Sequence, residues 1–212
     1  WGEDLAVRTY SSRLLGREKG LVLHGGGNTS VKSSVTNILG EELPALFIKA
    51  SGFDLAAIEP AGHPALDREY LKKLRVLEEL SNEIMVKELR THLLDFQSPT
   101  PSIETLVHAF IPGKFVDHTH ADAILALTNQ PEGEALVREA LGQNMIVLEY
   151  VRPGFKLAKA VAESIEAHPE SRAQVWMRHG LLSWGETAQE SYQTTIELVS
   201  KAEKYLAQRA TN

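Results

Sequence analysis

None of the 212 residues is a cysteine, and that absence decides how such a chain can hold itself together. Disulfide frameworks, thiolate zinc sites and cysteine nucleophiles are all excluded. The fold must rest on a hydrophobic core, and any metal must be held by His, Asp or Glu. With 43% hydrophobic and 24% charged residues, the composition is that of a globular protein and not of a disordered chain. A chain of this length buries enough surface to need no covalent staples, and a single domain spanning residues 1–212 is expected.

Acidic residues outnumber basic ones, 28 to 22, for a formal charge of −6. That balance argues against nucleic acid or an anionic membrane as the main partner, while leaving room for a local basic pocket. No apolar run approaches the roughly 20 residues needed to cross a bilayer. The opening stretch, Trp1 to Gly16, is amphipathic and charged, unlike a signal peptide. A cytoplasmic protein is expected.

Along the chain, helical and β-type patterns alternate. Leu5, Ala6, Tyr10, Leu14 and Leu15 recur near a 3.6-residue period and predict a helix from Glu3 to Leu15. Gly25-Gly26-Gly27 follows, a run that packs nothing and so marks a turn with close backbone approach or positive φ. Val31 to Val35 and Ala45 to Ala50 read as strands, the second closed by a Ser51-Gly52 turn. Asp67 to about Leu94 has helical spacing, ended by Pro99 and Pro101. A helix opens at Ser102-Ile103-Glu104, then a strand over Lys114 to His120, helices over Ala121 to Leu127 and Glu132 to Leu141, and a strand from Met145 to Leu148. Phe155 to Ala167 is helical, Ala173 to Trp176 and Gly180 to Trp184 form a hairpin, and a last helix runs from an N-cap at Thr187 to about Ala207. The pattern is one α/β domain with mixed strand order, without the βαβ rhythm of a nucleotide-binding sheet.

Three of the eight histidines stand out. His118 and His120, two apart in a predicted strand, share one face and bring their nitrogens within reach of a single ion. The pair reads equally as two ligands or as two partly buried histidines bonded to backbone. His179 lies at a turn before Gly180, and three histidines with an open position describe a catalytic metal site. Glu104 has two readings as well: a first-turn acid that complements the helix dipole, or a general base beside the metal. His108, one turn later, reads as a structural histidine or a further ligand; His24, His63, His92 and His168 read as exposed or satisfied in the core. The Gly25 to Ser30 loop, the Ser51-Gly52 turn and Ser102 offer N–H and hydroxyl groups without bulk, either as tight turns or as an anion cradle.

Five short motifs, Gly27-Asn28-Thr29-Ser30, Lys49-Ala50-Ser51-Gly52, Pro101-Ser102-Ile103-Glu104, Asp117-His118-Thr119-His120-Ala121 and Arg178-His179-Gly180-Leu181, occur in the order and at about the spacing of the class II aldolase/adducin family. The resemblance covers nearly the whole chain. Ser12 to Gly16, Leu21 to Asn28 and Val116 to Asp122 look most like the aldolase portion of bifunctional rhamnulose-1-phosphate aldolase/alcohol dehydrogenase proteins. It implies a three-layer α/β/α domain with a mixed, largely antiparallel central sheet. It also implies His118, His120 and His179 as ligands of zinc or another divalent metal, Glu104 as catalytic acid/base, and Gly27, Asn28, Ser51, Gly52 and Ser102 as the substrate-phosphate site. The implied reaction is retro-aldol cleavage of a ketose 1-phosphate by a homotetramer. Alternatives on the same scaffold are a sugar-phosphate epimerase, a sugar-acid phosphate decarboxylase and a non-catalytic, adducin-like interaction module. Relatives carry Ser-Ser-Glu where this chain has Ser102-Ile103-Glu104, and their intersubunit catalytic tyrosine has no clear match, Tyr150 lying in a segment that aligns elsewhere.

Overall fold

A computed structural model describes residues 2–210. Seven strands form one sheet in the order β3-β2-β1-β4-β7-β6-β5: β1 Asn28–Thr36, β2 Glu42–Ile48, β3 Ala65–Asp67, β4 Phe115–Thr119, β5 Ile146–Leu148, β6 Ala173–Trp176 and β7 Gly180–Gly185. Every neighbouring pair is antiparallel except β5 and β6. That parallel pair is joined through a helix, as a parallel connection requires. The helices are α1 Glu3–Arg17, α2 Arg68–Lys73, α3 Asn82–Thr91, α4 Thr105–Phe110, α5 Asp122–Thr128, α6 Gly133–Leu141, α7 Phe155–Ala167 and α8 Ala188–Ala210.

Two apolar clusters sandwich the sheet. On one face Leu46, Ile48, Val116, Leu182 and Trp184 pack with Leu71 of α2, Leu89 of α3, Val107 of α4 and Val161 of α7. On the other, Val175 and Leu181 pack with Leu15 of α1, Ile124 of α5, Val137 of α6 and Val199 of α8. The result is the three-layer α/β/α architecture with a mixed, largely antiparallel sheet. Among the described residues no helix is long and apolar enough to cross a membrane.

Several element limits differ from the expectation, each for a local reason. Asp67 to Leu94 is two helices instead of one: α2 tightens into a 3-10 turn over Leu74–Val76, and Ser81 then caps α3 by accepting from the Ile84 N–H. Strand β1 begins at Asn28, three residues early, because its first residues are polar yet buried. β4 stops at Thr119, so His120 lies just beyond it. At the start of α8, Thr187 accepts from Glu190 N–H while the Glu190 carboxylate accepts from the N–H groups of Glu186 and Thr187, a reciprocal cap.

Strand parity positions the site. Asn28 pairs with His118 and Ser30 with Val116 across β1 and β4, so these four share the face that packs on α4. Thr29 and Asp117 point the other way, toward α1 and α8.

Candidate metal centre and anion cradle

His118 leaves β4 toward the α4 face, fully buried. Its Nδ1 donates to the Leu181 carbonyl at 3.0 Å, which puts the lone pair on Nε2. Its ring packs on Trp176, 4.6 Å between centroids. His120, one residue past the strand, brings its own Nε2 to 3.0 Å from that of His118. His179 comes from the turn between β6 and β7, where Arg178 takes a φ of 58°, an uncommon conformation for a residue with a side chain. One ligand nitrogen from each of the three lies within 4.8 Å of the others. Nitrogens bound to a tetrahedral ion at 2.0–2.1 Å stand about 3.3 Å apart, so a small adjustment of side chains closes this set around one.

Two glycines permit that closeness. A Cβ on Gly27, which has a φ of 60°, would fall 2.7 Å from the His118 carbonyl oxygen. One on Gly180 would fall 2.2 Å from that of Thr119. Both spacings are below any real contact, so a side chain at either position would push β4 out of place.

Glu104, at the N-terminus of α4, turns its carboxylate into this cluster and not onto its helix end. Oε1 lies 3.1 Å from His179 Nε2, and Oε2 lies 3.6 Å from His118 Nε2. Oε2 accepts from the Asn28 amide at 2.6 Å, while Oε1 is buried without a hydrogen-bond partner. Ser102 Oγ accepts from the Glu104 N–H in the turn just before α4, whose N-terminus has no side-chain cap. Burial opposes ionisation of Glu104, but His118, His179 and the Asn28 amide outweigh it and hold the carboxyl below the usual carboxylate range. Burial also pushes His118 well below the ordinary imidazole value and lowers His120. Imidazole nitrogens converging beside a carboxylate, with one buried acceptor oxygen lacking a hydrogen-bond partner, fit a divalent cation.

A cavity of about 210 Å³ opens beside the cluster. It is lined by Gly25, Gly26, Gly27, Asn28, Lys49, Ser51, Gly52, Ser102, Ile103, Glu104, His120, Pro153 and His179. Eight of the nine residues singled out from sequence therefore meet here, and the ninth, His118, touches His120 and His179 from beneath. Tyr150 is half exposed and outside this lining. A larger cavity of about 680 Å³ lies beside the start of α1 and the end of β1, without a comparable convergence of ligating groups.

Lys49, quoted in a motif but given no role, organises the cavity wall. Its ammonium donates to the carbonyls of Gly25 and Phe53, both at 2.7 Å, tying the glycine loop to the segment after the Ser51-Gly52 turn. The Ser102 N–H donates to the Lys49 carbonyl, and Ala50 bridges to Pro101, so three remote stretches become one wall. Burial lowers the Lys49 pKa to about 8, against the opposing pull of Asp54 and Glu104. The signal for it was a lysine at the end of an apolar strand, where a charge has no reason to be unless it is bonded.

The sequence profile of the Class II Aldolase and Adducin N-terminal domain matches residues 8–206. An uncharacterized oxidoreductase from Bacillus subtilis, YuxG, is 37% identical over 200 residues; the chain spans 29% of that protein's length. The N-terminal class II aldolase domain of a conserved protein from Thermoplasma acidophilum superposes with a TM-score of 0.90 at 37% identity, covering 97% of this chain and 95% of that one. A sugar-phosphate aldolase from Thermotoga maritima superposes at 0.75 with 19% identity, over 99% and 96% of the two chains. This last likeness is one of fold.

Proposed function

The chain belongs to the class II aldolase and adducin N-terminal domain family, and from that premise we propose that it is a zinc-dependent aldolase. Its substrate would be a ketose 1-phosphate resembling rhamnulose 1-phosphate, cleaved to dihydroxyacetone phosphate and a short aldehyde such as lactaldehyde. The observation that carries this reading is the meeting of His118, His120 and His179 with the Glu104 carboxylate at the mouth of one cavity.

His118, His120 and His179 would hold the divalent ion, which would supply Lewis acidity to the carbonyl that accepts the electrons. The protein's own groups do the rest. Breaking the C3–C4 bond passes the C4 hydroxyl proton to a base, which we assign to the neighbouring subunit, releases C4 as the aldehyde and leaves the bonding electrons on C3, delocalised toward the C2 carbonyl as an enediolate. Glu104, a carboxylate at rest, takes up a proton from water and delivers it to C3, so that one proton leaves the hydroxyl and one reaches carbon; in the synthetic direction the carboxylate removes it. Gly27, Asn28, Ser51, Gly52 and Ser102 are the residues we assign to the phosphate. Their small side chains let N–H and hydroxyl groups approach it, and the nearby Lys49 adds positive potential. Ile103, where relatives carry a serine, contributes no hydroxyl to this cradle.

We further propose a homotetramer with a neighbouring subunit closing each site, since no tyrosine lines the cavity to serve the leaving oxygen. A phosphorylated substrate does not cross membranes unaided, which favours a cytoplasmic enzyme.

The test is to supply zinc-loaded protein with a panel of ketose 1-phosphates and assay dihydroxyacetone phosphate and aldehyde. Both products in equal amounts support the proposal. Epimerised sugar or released carbon dioxide would move the assignment to another reaction on this scaffold. A fully metallated protein inert toward the whole panel would favour a binding module.

A further inference from the structure

One buried histidine takes no part in the site as described. His108 lies in α4, fully excluded from solvent, with both ring nitrogens engaged: Nδ1 at 2.7 Å from Ser30 Oγ, and Nε2 on Asn28 Oδ1. Donor and acceptor chemistry gives the chain of bonds a direction. The Glu104 carboxylate only accepts, so it is the amide nitrogen of Asn28 that faces it, at 2.6 Å. Asn28 Oδ1 then faces His108 and also only accepts, so His108 carries its proton on Nε2. Its Nδ1 is consequently an acceptor, and Ser30 must donate its hydroxyl proton.

The Asn28 side chain is thereby held at both ends, and its 3.3 Å donation to Ser102 is the weak contact that a phosphate could replace. Its amide nitrogen donates to Glu104 Oε2 and, at 3.3 Å, to Ser102 Oγ, while its oxygen is taken by His108. An asparagine side chain free of His108 could rotate and turn its oxygen toward the carboxylate, which would repel it. With His108 in place that rotamer loses a buried hydrogen bond at one end and gains a repulsion at the other.

We propose that His108 is a positioning residue for the reaction assigned above: through Asn28 it holds Glu104 with Oε2 filled, leaving Oε1 as the oxygen that exchanges a proton with the substrate. The inference rests on the functional reading for its catalytic half and on hydrogen-bond direction alone for its structural half. Burial lowers the His108 pKa to about 3, so the ring stays neutral and the direction holds across the physiological range.

Two variants separate this role from ordinary packing. Glutamine places its amide nitrogen near the Nε2 position and keeps the donation to Asn28; asparagine places its own near Nδ1 and loses it. We expect His108→Gln to stay within about threefold of the parent in kcat, and His108→Asn to lose about tenfold or more in kcat with KM and bound zinc little changed. In the unmodified protein, two-bond proton–nitrogen NMR correlations should show His108 as the neutral Nε2–H tautomer from pH 5 to 8, with or without zinc. An Nδ1–H tautomer, or Gln and Asn variants that are equally active or equally impaired, would overturn the proposal. If no ketose phosphate is turned over, the functional reading fails separately, and the tautomer alone decides the direction of the chain.

Discussion

The guanidinium of Arg8 meets the carboxylate of Asp117 at 2.7 Å, with both side chains wholly excluded from solvent, directly behind the strand residue that presents His118. Arg8 also donates to the carbonyls of Ser30 and Val116, a register pair of β1 and β4. Ser191 of α8 donates to the other Asp117 oxygen at 2.7 Å. The ion pair therefore clamps the two strands that carry Asn28 and His118, from the face opposite the site.

Removing one member of this pair strands the other. Arg8→Met should cost about 3–5 kcal/mol of unfolding free energy, because Asp117 is left buried and uncompensated. The double variant Arg8→Met, Asp117→Leu should recover much of that loss. Urea titrations of the parent, both single variants and the double variant check this, and strictly additive losses would contradict it.

Purified protein supplied with zinc should hold about one ion per chain. His118→Ala should lose metal and turnover together, since it removes the ligand whose orientation the Leu181 carbonyl sets. Elemental analysis after dialysis reads the ratio, and a metal-free parent under these conditions would remove the assignment.

Glu104→Gln should retain fold and metal, its amide oxygen still accepting from Asn28, yet lower turnover about a hundredfold or more. Were Glu104 merely a helix-end acid, the substitution would cost at most about 1 kcal/mol of stability and leave turnover intact. Steady-state kinetics beside a thermal melt distinguish the two.

Stability should fall as pH drops below about 6.5. Burial, reinforced for His63 by the Arg8 charge, lowers the pKa values of both His63 and His108 to about 3. Between the unfolded and folded values the unfolded chain binds more protons, so acidification favours unfolding, by about 1.4 kcal/mol per pH unit for each such group. Glu104, held below its ordinary value, adds a loss of the same sign at the acid end. Urea midpoints from pH 7 to pH 4 should slope less in His63→Gln than in the parent. Parallel slopes would mean that His63 titrates normally in the folded state.

A tetramer that completes each site with a neighbour's side chain should lose specific activity on dilution. Sedimentation equilibrium paired with activity over a concentration series tests this. A fully active monomer of 23.4 kDa would place every required group within the chain, with Tyr150 the first to replace.

Where apolar periodicity is strong, sequence and structure agree to the residue: α7 and β6 have the predicted limits. The pairing of His118 with His120 was legible because a two-residue strand spacing is a local property; His179 and Glu104 came in through the resemblance of five motifs, and the structure brings all four side chains together. The Arg8 clamp was not legible, since a charged residue on an amphipathic helix reads as solvated. Its trace was a polar stripe, Arg8, Ser11 and Ser12, on one side of α1, where Arg8 bonds both serines. Asn28, Thr29 and Ser30 escaped the strand prediction for a related reason, because they are buried by polar partners and alternation of hydrophobicity cannot register them. Lys49 left a local trace, a charge closing an apolar strand, but its reach to Gly25 did not show in the sequence, and His108 bonds only Ser30 and Asn28, about eighty residues away.

The strand order also dictates when the site can come into being. Hairpins β1–β2 and β6–β7 join near neighbours in sequence, whereas β1 meets β4 through residues 28–31 and 115–118. Such long-range pairing closes a large loop, an entropic cost that slows folding. His118 and His120 gain His179 only once β7 has docked on β4. In small zinc domains the ion drives folding; here apolar clusters cover both faces of the sheet, so an ion held by the three histidines would not be needed to build it, and metal-starved protein would stay folded and ready to be charged.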